Sequence, residues 1–176
     1  NLALSPNFNF KTASGTTYSI NGNITTTNGA HTYNGPLTLL RNAVISAGTG
    51  NINFGGPVTG TGYNFTLNSQ GTVTQTAPIS ASGLELLGAG GTYNLTDAGN
   101  AVTTLAGNTG TVNFTNSAGM DIGTVNTAGL ATSGDITLKA GGDITLNGLV
   151  SAGTGAGTGI VALNSGGAII NGMGSA

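Results

Sequence analysis

A four-residue unit recurs three times at a constant interval, as Gly35-Pro36-Leu37-Thr38, Gly56-Pro57-Val58-Thr59 and Ala77-Pro78-Ile79-Ser80. The match extends upstream, because each proline follows a glycine by seven residues, at Gly29, Gly50 and Gly71. A fixed period of about 21 residues indicates a chain wound into stacked coils, each packed on its neighbours. The constant interval therefore predicts a repeat architecture.

The composition is nearly neutral and rich in small and hydroxyl-bearing residues. Among 176 residues there are 33 Gly and 29 Thr, and charged residues make up 5%, against about 25% in an average soluble domain. Three basic residues, Lys11, Arg41 and Lys139, are too few for the positive surface that nucleic-acid binding requires. We therefore expect no nucleic-acid partner.

Apolar runs are short and cysteine is absent. No run approaches the roughly 20 apolar residues of a membrane-spanning helix, so we expect no membrane span. Without cysteine, neither a disulfide framework nor a thiolate metal site can form. These features suit an extracellular fibrous protein that is stabilised by stacking.

Short alternating segments predict β-strands and leave no room for helices. Ile52-Asn53-Phe54 and Ile136-Thr137-Leu138 read apolar, polar, apolar, as in a half-buried strand. Gly and Asn interrupt the chain every few residues, which prevents a helical apolar stripe. One apolar column follows the repeat through the chain and predicts an internal ladder of Leu37, Val58, Ile79, Val102, Val125, Leu149 and Met173.

Three apolar columns per repeat predict three short strands per coil, joined by glycine-rich corners. The expected fold is all-β, a right-handed parallel β-helix (solenoid) of about seven coils of about 21 to 24 residues. Changes in spacing predict insertions near 88–97 and deletions near Gly123, in the corners.

The two ends differ from the middle. Residues 1–17 lack the Pro-containing unit and are expected to form a cap or a preceding coil, with 18–176 forming a single β-helix region. The ladder reaches Met173, so we expect a strand edge that is open to a longer parent protein or to end-to-end stacking.

An outward column next to the ladder is the candidate surface-contact row. By the period of two along a strand it points away from the core, and its members are Thr38, Thr59, Ser80, Thr103 and Asn126. Neutral hydroxyl and amide groups discourage lateral association less than charges do. The row predicts a solvated β face, and contact with carbohydrate or with other copies of the chain is the alternative that stays open.

The titratable residues do not form a catalytic pattern. Asp135 and Asp143 begin the sister motifs Gly134-Asp-Ile-Thr-Leu138 and Gly142-Asp-Ile-Thr-Leu146. They precede equivalent strands on different faces, so we expect turn capping by each rather than a catalytic pair. His31 has no acid near it and is expected to be a partly exposed residue at the end of the core. We expect no catalytic residue, no metal site and no cofactor.

Three stretches resemble the repeat regions of filamentous-haemagglutinin-like bacterial adhesins, namely 32–39, 50–60 and 134–148. The resemblance covers the chain from about residue 18 onward. It implies a secreted or cell-surface β-helix that is exported through an outer-membrane secretion partner in two-partner secretion. It also implies a non-catalytic shaft or fibre that supports adhesion to a carbohydrate or host receptor, self-association or biofilm formation.

Two other classes of function stay open at this point. An ice- or crystal-surface-binding β-helix would carry Thr-x-Thr on the same face of every coil, and the Thr38 column lacks that regularity beyond Thr103. A polysaccharide-active β-helix enzyme would need clustered carboxylates on one face. Thermal hysteresis would support the first class, and glycan cleavage dependent on Asp135 or Asp143 would support the second.

Overall fold

The computed structural model describes residues 1–5, 7–155 and 158–174, and these contain β-strands and no helix. None of the described residues belongs to a helix long and apolar enough to cross a membrane. The strands, in chain order, are β1 (Leu2–Ala3), β2 (Phe10–Lys11), β3 (Tyr18–Ile20), β4 (Ile24–Thr25), β5 (His31–Tyr33), β6 (Leu37–Leu39), β7 (Ala43–Gly48), β8 (Ile52–Phe54), β9 (Val58–Ser69), β10 (Thr72–Gln75), β11 (Ile79–Leu95), β12 (Ala101–Asn116), β13 (Met120–Ile122), β14 (Leu130–Thr132), β15 (Ile136–Ala140), β16 (Ile144–Leu146), β17 (Val150–Ser151), β18 (Val161–Ser165) and β19 (Ile169–Asn171).

The strands stack in parallel as a β-solenoid of about 8 turns, with about 21 residues per turn. This confirms the predicted all-β solenoid. At about 4.8 Å per turn the stack is roughly 38 Å long. The segment 1–17 carries β1 and β2, which pair in parallel with β4 and β5 of the following turn.

Each turn presents three faces. The first face consists of β3, β6 and the beginnings of β9, β11 and β12, and β13, β16 and β19 continue it in the last turns. The second face consists of β1, β4, β7, the later part of β9, the middle parts of β11 and β12, β14 and β17. The third face consists of β2, β5, β8, β10, the ends of β11 and β12, β15 and β18.

Inward-pointing side chains of successive turns lie directly above one another and form the core. On the third face one inner column contains Phe10, His31, Ile52, Val73, Tyr93, Val112, Ile136 and Val161. The six members from His31 to Ile136 are completely buried. Burial of one such apolar side chain contributes about 2 kcal/mol, so the core grows with every turn that is added.

Glycine closes the corners where turns come very close together. Gly48 ends β7 with a φ of 56°, in the left-handed region that residues other than glycine rarely adopt. A Cβ atom at this position would overlap the carbonyl oxygen of Thr27 in the preceding turn. The corner therefore requires glycine both for its backbone conformation and for the close packing of two turns.

The predicted ladder is correct for its first three members and wrong in register after them. Leu37, Val58 and Ile79 are paired partners in successive turns. Val102 pairs with Ala81 rather than stacking below Ile79. The neighbouring pair Ser80 and Ala101 places Asn100 below Ile79, at the original interval of the repeat.

The last three predicted ladder members lie outside the core. Val125 lies in a loop outside the turn, and Leu149 and Met173 are 69% and 55% exposed. The inner column of the last turns contains other residues, since Met120 stacks on Ile144. The prediction followed hydrophobicity alone, and for this reason it selected apolar residues that lie in the corners.

Two irregularities change the length of individual corners. Three residues, 89–91, lie in β11 where β12 has only Gly110, which confirms the insertion predicted near 88–97. The deletion predicted near Gly123 is wrong. Seven residues, 123–129, lie between Ile122 and Leu130, where the turn above has only Ala106.

Candidate functional site

The candidate surface-contact row is continuous on the first face over three turns. Thr38 pairs with Thr59, and Thr59 pairs with Ser80, so their side chains project side by side. The next position in this column is Ala101, which ends the hydroxyl series. The row is therefore a short hydroxyl strip.

The two remaining members of the predicted row lie elsewhere. Thr103 follows Val102 and lies two residues further along its strand than Ala101, in a neighbouring outward column. Asn126 belongs to the loop 123–129 and contacts Glu85 on the second face. The same misalignment that displaced Val102 from the ladder displaced both residues.

A more regular array of hydroxyl and amide groups lies on the third face. Three successive turns carry alternating outward side chains in the segments Thr72-Val-Thr-Gln-Thr76, Thr92-Tyr-Asn-Leu-Thr96 and Thr111-Val-Asn-Phe-Thr115. The strand register aligns these segments residue by residue. We call this three-by-three array of seven threonines and two asparagines the threonine face.

Hydrogen bonds between turns order the central column of this face. Asn53 Nδ2 donates to Thr74 Oγ1 at 2.8 Å, and Asn113 Nδ2 donates to Asn94 Oδ1 at 2.8 Å. Neighbouring groups are spaced by about 4.8 Å between turns and about 6.7 Å along a strand. The result is a neutral array with two repeat distances.

Sequence reasoning missed the threonine face although a signal was present. The three segments share an alternation of polar outward and larger inward residues, and they begin at Thr72, Thr92 and Thr111. The intervals between them are shorter than the regular period of the repeat, which concealed the alignment. A search for the alternating motif with variable spacing would have found them.

A shallow groove of about 410 Å³ continues this face toward the last turns. Its lining includes Thr96, Thr115, Thr137, Lys139 and Asn164. The Lys139 ammonium is the cation among these residues. The groove therefore extends the hydroxyl- and amide-bearing surface of the third face and adds one positive charge to it.

A buried carboxylate lies on the outer side of the second face. Glu85 is 1% exposed, and three groups donate hydrogen bonds to its carboxylate. The Thr66 hydroxyl and Asn126 Nδ2 donate to Oε2 at 2.9 and 2.7 Å, and the Thr127 N–H donates to Oε1 at 2.7 Å. Burial alone would raise the pKa of Glu85, but the bonds from Asn126, Thr127 and Thr66 together hold this pKa below its usual value.

The loop 123–129 buries this carboxylate by folding back across the second face. Thr66 and Glu85 are paired partners in adjacent turns, so their outward side chains are neighbours. The Val125 side chain lies against Gly83, where a Cβ atom would be 2.9 Å from Val125 Cγ2. The loop therefore acts as a clasp over strands of earlier turns, and we call 123–129 the clasp.

His31 belongs to a buried polar cluster inside the first turns. Its Nε2 lies 2.9 Å from Thr26 Oγ1 and its Nδ1 lies 3.2 Å from the Tyr33 hydroxyl. The Phe10 ring packs on it with centroids 5.8 Å apart. The expectation of partial exposure is wrong, because the turn formed by 1–17 covers the imidazole. Burial lowers the pKa of His31 to about 4, which keeps it neutral.

The two aspartates of the sister motifs accept hydrogen bonds from backbone N–H groups of the following turn, so they join turns rather than cap their own. Asp135 Oδ1 accepts a hydrogen bond from the Ile160 N–H at 2.9 Å, and Asp143 Oδ1 accepts one from the Ala168 N–H at 2.8 Å. They precede β15 on the third face and β16 on the first face. Among the described residues, no group of three or more His, Asp or Glu side chains is placed to hold a metal ion.

Comparisons with known proteins found no relative that would assign a role to these surfaces. No family model matches the chain, and neither a curated protein nor a solved structure matches it.

Proposed function

We propose that this solenoid is a non-catalytic shaft segment of a secreted or cell-surface bacterial adhesin. The observation that carries the proposal is the parallel stack of about 8 turns, in which the inner columns of buried side chains continue from one turn to the next.

The remaining properties agree with a rod that acts as a spacer. A parallel stack extends along one axis and gains core with each turn. The neutral hydroxyl and amide faces support contact with carbohydrate, a host receptor or another copy of the chain. The resemblance of 134–148 to filamentous-haemagglutinin-like repeats supports export through an outer-membrane secretion partner.

The rod itself can be tested by changing its number of turns. Insertion of four additional copies of 36–56 should lengthen the rod by about 19 Å, at about 4.8 Å per added turn. Small-angle X-ray scattering measures this change in length. Duplicating only 36–45 is the matched control, because half a turn destroys the register and should unfold the chain. A folded rod of unchanged length after the full-turn duplication would contradict the shaft.

The location can be tested independently in the source bacterium. Antibodies against this chain should label the surface of intact cells by immunogold electron microscopy, and the label should disappear when the outer-membrane secretion partner is deleted. Label confined to the interior of sectioned cells would contradict the adhesin proposal.

The threonine face supports a second candidate function, binding to an ice or crystal surface. Threonine presents a methyl group and a hydroxyl group together, and the face repeats them at two fixed distances without a formal charge. A neutral lattice of this kind suits an ordered array of water better than a charged macromolecule. The third face carries Thr-x-Thr in 72–76, and in the next two turns asparagine takes the central position of the array, at Asn94 and Asn113.

Freezing assays distinguish this candidate from the shaft. Thr92→Lys and Thr111→Lys place a charge within the threonine face and should abolish thermal hysteresis, while Thr38→Lys on the first face should leave it unchanged. The wild-type protein must show hysteresis for the candidate to stand. Equal loss in the Thr38→Lys control would contradict the assignment to this face.

A further inference from the structure

We propose that the third face pairs with the third face of a second copy of the chain, so that two solenoids lie side by side and parallel. Such pairing would specify the self-association of the proposed shaft, and it rests on that proposal. The outward side chains of this face form three columns, which the strand register aligns from turn to turn.

Two opposite charges lie on one turn of this face. Asp135, Thr137 and Lys139 are exposed and occupy the three columns in the turn that follows the threonine face. At about 3.3 Å per residue the two charged positions are about 13 Å apart, with Thr137 between them. Each charge is therefore available to an opposite charge on another molecule.

A two-fold axis between the two faces, running along the solenoid, makes this charge pattern self-complementary. It reverses the strand direction of the second copy, so that Asp135 of each copy faces Lys139 of the other and Thr137 lies on the axis. A two-fold axis along the strands would instead place Asp135 against Asp135 and Lys139 against Lys139. The charges therefore select parallel solenoids with their turns in register.

The neutral turns suit the same arrangement. In the threonine face the axis pairs threonine with threonine across the two edge columns, and it pairs each residue of the central column with its own copy. Hydroxyl and amide groups both donate and accept hydrogen bonds. Each of these groups can therefore bond to an identical group of the second copy.

The groove beside Lys139 adds a fit of shape. Ile160 follows Asp135 in the same edge column and is 64% exposed. The axis places Ile160 of the second copy over the groove of about 410 Å³, where the lining includes Ala162 and Asn164. An exposed apolar side chain is thereby removed from water in each copy.

The size of the face predicts a weak dimer. The face is about 17 Å wide and about 38 Å long, so two copies cover on the order of 1,300 Å², near the lower end of specific interfaces. The axis also brings Lys11 close to its own copy, because Lys11 stacks on Thr32 in the central column. Since each further turn adds area, a longer shaft would pair more strongly.

Analytical ultracentrifugation of the purified chain over a concentration series tests the pairing. Asp135→Lys and Lys139→Asp should each raise the dissociation constant of the wild-type dimer about tenfold or more, because like charges then face each other. An equimolar mixture of the two variants should dimerise again, since the heterodimer restores both opposite-charge contacts. A wild-type chain that is monomeric at every concentration would overturn the proposal.

Controls separate this face from general charge effects. Asp121→Lys makes the same change of charge on the first face and should leave the dissociation constant unchanged, whereas Lys11→Thr should lower it. Circular dichroism verifies folding. Asp135 also accepts the hydrogen bond from the Ile160 N–H, so Lys139→Asp decides alone if Asp135→Lys does not fold. An undiminished dimer in Lys139→Asp would overturn the proposal.

Single cysteines test the orientation, since the natural chain contains none. Thr74→Cys lies in the central column three turns from Thr137, so in parallel solenoids a short bismaleimide should link it to its own copy. Thr38→Cys on the first face is the control and should stay unlinked. A dimer in which Thr74→Cys does not link would overturn the parallel arrangement. Surface labelling of the source bacterium remains the separate test of the shaft proposal.

Discussion

The regular turns within 31–79 and the irregular turns within 80–132 both stack on their neighbours, but different contacts hold the two stacks together. In the regular turns, pairs such as Ile52 and Val73 follow the constant interval of the repeat, and aromatic rings continue the stack. Tyr33 and Phe54 lie nearly parallel, with centroids 5.3 Å apart. The irregular turns contain insertions and bury polar side chains.

Buried amides replace backbone pairing where the irregular turns lose it. Asn116 Oδ1 accepts from the Val102 N–H at 2.9 Å, and its Nδ2 donates to the Val102, Ala118 and Gly119 carbonyls. Asn100 Oδ1 likewise accepts from the Ile79 N–H at 2.7 Å. Since unpaired buried backbone groups are costly, these side chains permit changes in turn length that stacking alone would not tolerate.

The largest expected effect tests whether the two regions share one core. Phe54→Ala in a regular turn and Phe114→Ala in an irregular turn should each lower the free energy of unfolding by about 4 kcal/mol, because each removes a fully buried ring. Chemical denaturation measures both. Tyr63→Ala, at a residue that is 36% exposed, is the control and should cost about 1 kcal/mol or less. A loss at Phe114 as small as that of the control would show that the irregular turns do not depend on their core.

The sequence predicted the fold and the regular turns because constant spacing made the alignment unambiguous. It lost the register where a polar residue enters the core. Asn100 keeps the regular interval from Ile79, yet a search for apolar columns passes over it to Val102. No local pattern marks Asn100 as buried, since its burial depends on backbone groups of other turns.

The candidate site could be predicted only in part for a similar reason. Thr38 and Thr59 follow from alternation along regular strands. The burial of Glu85 depends on the clasp, which lies further along the solenoid and folds back. Such contacts depend on loop conformation, and single-sequence patterns do not encode it.

The next effect concerns pH and the regular turns. The pKa of His31 falls from 6.5 to about 4 on folding, so below pH 6.5 the unfolded chain binds a proton that the folded chain does not. Stability is therefore complete above pH 6.5 and is lost as the pH falls toward 4, by about 3 kcal/mol in total. Denaturation between pH 7 and 4 measures this loss.

The control for this prediction replaces the imidazole by the side chain found in the next turn. His31→Ile should remove the slope between pH 6.5 and 4.5, because Ile52 already occupies the equivalent position. The carboxylate of Glu85, whose pKa is lowered from 4.5, contributes stability that is lost only at lower pH. An unchanged slope in His31→Ile would assign the titration to another group.

A smaller effect tests the buried amides of the irregular turns. Asn116→Ala should lower the free energy of unfolding by about 2.5 kcal/mol, because buried backbone groups of Val102 lose their partners. Asn113→Ala in the same strand is the matched control, since its amide bonds outward to Asn94, and it should cost about 0.5 kcal/mol. Equal losses would contradict the idea that inward amides support the irregular turns.

The smallest single loss, at Gly62, is the reference that separates backbone conformation from close packing between turns. Gly48→Ala should cost at least about 3 kcal/mol, because its positive φ and its overlap with the Thr27 backbone carbonyl both oppose a side chain. Gly62 has a φ of 87°, but a Cβ atom at this position would have no heavy atom of another turn within 4 Å. Gly62→Ala should therefore cost about 1 kcal/mol from backbone conformation alone. Thermal denaturation of both variants measures the difference. Equal losses would mean that the regular corners are set by backbone conformation, and that turns there can separate slightly without loss of the stack.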